Sequence, residues 1–176
     1  MTGCSFLNVQ TFTKRRKAVE KVEKSVQVDC PVNVAYNQWT QFEDFPKFMA
    51  GVKQITQIDD THLRWKAEVG GKEKEWEAEI TDQVPDRHIA WRSITDDAKN
   101  AGEVRFEPIS EDSTRIHLTM EYEPEGAMEN VGDALGAMDR RVQSTVDDFK
   151  EFIESRGSET GAWRGEVHGG EETRQY

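Results

Sequence analysis

Four histidines (His62, His88, His117, His168), two cysteines (Cys4, Cys30) and a row of carboxylates at Glu75, Glu77 and Glu79 have side chains suited to metal ligation, nucleophilic attack or acid–base work. Their spacing argues against each role. Zinc needs its ligands roughly 2 Å away, whereas His62, His88 and His117 fall in different strands, and alternate strands of a meander lie about 10 Å apart. Solvent-facing histidines are the expectation. Cys30 precedes a helix N-terminus, a setting that can lower a thiol pKa, but no histidine lies near it in sequence to serve as a base. The Glu75, Glu77, Glu79 row has period two and reads as one wetted strand face; glycosidase carboxylates would need a sugar cleft around them. Gly70-Gly71 marks a hairpin and matches no phosphate-cradling loop. No catalytic residue, metal ligand or cofactor is expected from these groups.

The elements that position these side chains follow from hydrophobic period. Val22, Val26 and Val28 alternate with polar neighbours, predicting a strand over 20–29. Pro31 then opens a helix carrying Val34, Ala35, Gln38 and Trp39. A second short helix follows, with Phe42, Phe45 and Phe48 three apart on one buried face. From 52 to 123 the period is two, with strands expected at 52–59, 62–69, 73–82, 87–95, 102–109 and 114–123. Short polar turns join them into an antiparallel meander. A final helix is expected over about 128–156, with Val131, Leu135, Met138, Val142, Val146, Phe149, Phe152 and Ile153 on one stripe.

The strand phases sort the interior. Leu63, Trp65, Ala67 and Val69 share a face, as do Trp76, Ala78 and Ile80; Ile89, Trp91 and Ser93; Val104 and Phe106; and Ile116, Leu118, Met120 and Tyr122. On this reading the apolar side offers Ser93 and Tyr122 as polar atoms and almost nothing that titrates, which is poor material for acid–base catalysis. Whether the face closes into a packed core or leaves a hollow is not a matter of pattern, because both obey the same alternation.

The chain has 176 residues and a net charge of −11, the wrong sign for steering onto nucleic acid. No nucleic-acid partner is expected. Without an apolar run of membrane-spanning length or a leader-like start, the expectation is a cytoplasmic protein with reduced thiols and no stable membrane insertion. Three regions are expected: a basic arm (1–19) carrying Lys14, Arg15, Arg16 and Lys17; a single domain (20–156); and a disordered, acidic, Gly-rich tail (157–176). The arm leaves transient membrane contact open, and oligomeric state is not legible.

The element order resembles the polyketide cyclase/dehydrase branch of the START-like, helix-grip (Bet v 1-like) superfamily. The resemblance spans roughly 20–156 and rests on 31-PVNVAYNQWTQFEDFPKFMAGV-52, 65-WKAEVGGKEKEWEAEI-80, 88-HIAWRS-93 and 101-AGEVRFEP-108. It implies an α+β fold: a seven-stranded curved antiparallel sheet wrapped around a long C-terminal helix, with two short helices after the first strand and a cavity for lipids, quinones, sterols or polyketides. No catalytic set carries over, since aromatase/cyclases are described with polar and charged pockets and the corresponding positions here are mostly apolar. The expected function is binding or transport of a hydrophobic small molecule held by Trp65, Trp76, Trp91, Ser93, Phe106, Met120, Tyr122 and Met138. A cyclase or dehydratase, with Tyr122 or Tyr36 as proton donor, and a protein-interaction or lipid-chaperone module stand as alternatives.

Overall fold

The computed structural model of the chain describes residues 19–95, 99–123 and 131–173. The expectations for the basic cluster and for 128–130 lie outside the described residues.

Valine alternation sets β1 (Glu20–Val28), whose Val22 and Val28 are buried. Pro31 lacks an N–H to lose and stands ahead of α1 (Val32–Trp39). The second short helix is a 3-10 helix (Phe42–Lys47). Three residues per turn stack Phe42, Phe45 and Phe48 on one side, which explains their spacing and their burial at 4%, 1% and 2% exposure. Six antiparallel strands follow: β2 (Val52–Gln57), β3 (His62–Val69), β4 (Lys72–Val84), β5 (His88–Ser93), β6 (Asn100–Ser110) and β7 (Ser113–Tyr122). Sheet order is β1-β7-β6-β5-β4-β3-β2, so the first strand closes against the last. The long helix, α2 (Val131–Arg156), packs on β1 and β7. This is the expected helix-grip architecture.

The helix divides into two stretches. Val142, Val146, Phe149 and Ile153 are buried and recur at four, three and four. Trp39 touches Phe45, Phe48 and Phe149 with ring centroids 5.2, 5.7 and 5.1 Å apart. Towards the sheet, Phe45 meets Trp65 at 6.0 Å. Nearer its start, Leu135 and Met138 are only half-buried.

Residues 157–173 correct one expectation: they are not a disordered tail. Gly157, at φ +70°, ends α2 by donating its N–H to the Ile153 carbonyl at 3.0 Å. The chain then runs over α1. Thr160 N–H donates to Gln38 Oε1 at 3.0 Å, and Trp163 N–H to Thr40 Oγ1 at 3.0 Å. Arg164 grips Asp86 through both amino groups, at 3.0 and 2.6 Å, and donates to Asn37 Oδ1 at 2.9 Å. Two further strands, β8 (Glu166–His168) and β9 (Glu171–Thr173), form a hairpin, and β8 pairs with β4 through Asp82–His168 and Gln83–Val167. This brings the sheet to nine strands among the described residues. Asn37, Gln38 and Thr40 are thus buried polar residues with partners. The segment's anchors are single polar side chains, Val167 and the half-buried Trp163, which packs against the core, so no hydrophobic period announces it.

Candidate functional site

A cavity of about 460 Å³ lies between the sheet and the first half of α2. Its sheet wall is Trp65, Trp76, Trp91, Leu118, Met120 and Tyr122, and α2 contributes Ala134, Ala137, Met138, Arg141, Val142 and Thr145. The turn after the 3-10 helix, Met49–Val52, and the β3–β4 hairpin border it. Where α2 borders the hollow it contributes the small Ala134 and Ala137, and its fully buried apolar stripe begins only at Val142.

Cross-strand register positions the indoles. Trp65 and Trp76 face each other across β3 and β4 and stack at 5.8 Å with an 11° interplanar angle. Trp91 is paired with Gly102 on β6. The indole Nε1 atoms of Trp65 and Trp76 and the Tyr122 hydroxyl are buried and have no hydrogen-bond partner in the protein. Burial first, and the Glu20 carboxylate second, raise the Tyr122 pKa and keep its phenol protonated.

Of the residues singled out from sequence, Trp65, Trp76, Trp91, Met120, Tyr122 and Met138 line the cavity. Two do not. Phe106 is core, packed edge-on against Tyr36 of α1 at 5.6 Å. Ser93 ends β5 and borders an adjoining groove of about 320 Å³, where its Oγ accepts from the Asn100 N–H at 3.3 Å. Phase assigned both to the inward face correctly, but a face longer than the cavity places some inward residues beyond it.

Among the described residues no Lys, Arg, Asp, Glu or His is fully buried, in line with the expected apolar interior, but charged side chains stand at the border of the cavity. Lys72, Lys74, Lys99, Arg141 and Glu123 all border the cavity, and Lys99 pairs with Glu123 at 3.9 Å. Lys72 and Lys74 stand four and two residues before Trp76, hence on its face of β4, a signal present in the sequence. Arg141 follows Met138 by one helical turn, and its position depends on Gly51: a Cβ there would come within 3.3 Å of Arg141 Nη2 and of the Glu68 carbonyl. At φ +87°, Gly51 also adopts a backbone conformation that side-chain-bearing residues avoid.

Elsewhere the reactive groups are muted. Burial, followed by the Glu154 charge, pushes the Cys30 thiol up to about 11, away from the thiolate form. Burial likewise pushes Tyr36 up to about 12, opposed by the Gln83 amide that donates to its hydroxyl at 2.8 Å. His88 and His168 both lie within hydrogen-bond distance of Asp82, at 2.7 and 2.9 Å, a pairing that the folded C-terminal segment creates. Among the described residues, no group of three or more His, Cys, Asp or Glu side chains is arranged to hold a metal ion. Nor, among them, is any helix long and apolar enough to cross a membrane.

Comparison with known proteins agrees with this architecture. An uncharacterised 17.2 kDa protein from the melC2-rnhH intergenic region of Streptomyces lincolnensis is 48% identical over 149 residues, covering 85% of this chain and 99% of the relative. The Zhui aromatase/cyclase from a Streptomyces species shares the fold at a TM-score of 0.64 and 15% identity, covering 83% of this chain and 100% of that one. A START superfamily protein from Mycobacterium smegmatis does so at 0.62 and 16%, with coverages of 77% and 95%. The family model described as polyketide cyclase / dehydrase and lipid transport matches residues 28–151, and to that family the chain belongs.

Proposed function

We propose that the protein binds a hydrophobic small molecule, a lipid, quinone or polyketide-like compound, in the cavity under α2. The observation that carries this reading is a hollow of about 460 Å³ walled by three tryptophans and three methionines. That volume falls in the range of small-molecule pockets, roughly 300–1,000 Å³. Transfer of apolar ligand surface from water supplies affinity at about 25 cal/mol per Å².

Native mass spectrometry of freshly purified protein, with organic extraction and identification of what is released, tests the proposal. A reproducible bound lipid or aromatic compound is the expected result. An apoprotein mass, together with no binding of the neutral apolar fluorophore N-phenylnaphthylamine, would overturn it.

One observation favours a second reading, cyclisation or dehydration of a polyketide-like chain. Tyr122 lines the cavity, and its hydroxyl is buried without a protein partner and held protonated, the state a proton donor needs. Tyr122→Phe would then abolish turnover of a proven substrate while sparing its binding; unchanged turnover would remove Tyr122 from that role.

A further inference from the structure

The charge around the cavity opposes the charge of the molecule. The chain carries −11, yet four of the five charged side chains bordering the cavity are cations. Neither Arg141 nor Lys72 forms an ion pair among the described residues. Arg141 is half-buried, and its guanidinium lies beside Gly51 at the edge of an apolar hollow. A cation in that position is partly stripped of water and gains from an anion that enters beside it. The planar guanidinium fork suits a carboxylate or phosphate, and a lysine supplies a second point charge. A ligand with a neutral end would cover the same cation without compensating it.

Resting on the binding reading above, we infer that the ligand is an amphiphile with an anionic head group, its apolar body among Trp65, Trp76 and Trp91 and its head beside Arg141 and Lys72. The body supplies affinity, and the head fixes orientation and discriminates against esters and alcohols of equal length.

The test uses the full chain loaded with N-phenylnaphthylamine, displaced in parallel by palmitate, hexadecyl phosphate, methyl palmitate and hexadecanol. The anionic compounds should displace the fluorophore about tenfold more tightly than the ester, the size expected of one charge-assisted hydrogen bond. Whichever of palmitate and hexadecyl phosphate binds more tightly distinguishes a carboxylate head from a phosphate. In Arg141→Gln and in Lys72→Gln the acid-over-ester preference should shrink to about threefold or less, whereas Arg115→Gln on the outer sheet face should leave it as it was. Lys72 sits at an exposed hairpin, so its variant keeps the test open should Arg141→Gln fold poorly. Equal displacement by palmitate and methyl palmitate, or failure of every amphiphile to displace a bound fluorophore, overturns the anionic head group and leaves hydrophobic binding standing. A fluorophore that never binds instead sinks the binding reading itself.

Discussion

Trp91 lies over its cross-strand partner Gly102 so closely that a Cβ on Gly102 would sit 2.3 Å from Trp91 Cζ2 and 2.9 Å from Met120 Sδ. Since φ at Gly102 is not in the left-handed region, the requirement for glycine is one of space. Gly102→Ala should force the indole aside, at about 1–3 kcal/mol of stability, which for a chain of this size lowers Tm by about 2–4 °C per kcal/mol. Affinity for an apolar fluorophore should fall with it. Thermal unfolding and fluorophore titration read both effects, and a variant with unchanged Tm and affinity would show that the indole has room to move.

The C-terminal segment should contribute measurably to stability. Val167 is fully buried between β4 and β9, so Val167→Ala should cost about 1–3 kcal/mol in denaturant unfolding. Arg164→Ala removes both bonds to Asp86 and leaves Asn37 Oδ1 without its donor, and should cost about 1 kcal/mol. If removal of residues 158–176 left the unfolding midpoint where it was, the segment would be ornamental.

Alkaline pH should destabilise the fold through two buried acids. The folded pKa of Cys30 is raised from 9.0 to about 11, and that of Tyr36 from 10.0 to about 12. Each group holds its proton more tightly in the folded chain. The stabilisation is complete below about pH 9 and is lost as pH rises through these folded values. Equilibrium unfolding from pH 8 upward should show stability declining, and Cys30→Ser should flatten the part of the decline nearest pH 9–11. The same burial predicts that iodoacetamide labels Cys30 only after unfolding.

Acid should act at the other end of the range, at the β2–β3 turn. Asp59 accepts the Thr61 and His62 backbone N–H groups at 2.9 and 2.8 Å. These bonds, that from Thr61 foremost, hold its folded pKa at about 2, below the ordinary 3.8. Its stabilising effect is therefore present above about pH 4 and lost as pH falls towards 2. Asp59→Ala should reduce stability at pH 7 by about 1 kcal/mol and make the pH 4–2 decline shallower; identical slopes would assign the decline to other carboxylates.

Regular elements were legible because their burial is one-sided. Trp65 and Ala67, or Val146 and Phe149, repeat at the period of their strand or helix, and repetition is what a single sequence displays. Cavity walls were legible to the same extent: Trp65, Trp76 and Trp91 could be assigned to the inner face, but alternation does not say where the helix facing them turns small, as it does at Ala134 and Ala137. Phe106 and Ser93 obey the same alternation and fall outside the hollow. The segment after Gly157 was illegible for another reason. Its attachments to Asn37, Gln38, Thr40 and Asp86 pair residues more than 70 positions apart through individual polar atoms, which leave no local pattern.

The division of α2 into two stretches carries a consequence for traffic through the cavity. From Val142 onward the helix is riveted into the core, whereas its earlier stretch around Gly136 is held more lightly, by the half-buried Leu135 and Met138 and by the 2.7 Å ion pair of Asp139 with Lys24 of β1. Held more lightly at that end, the first turns are the part of the helix expected to part from the sheet by local opening, at a cost below that of unfolding the domain. For a ligand bound as proposed, exchange would then follow the pace of that local opening rather than the global stability of the fold.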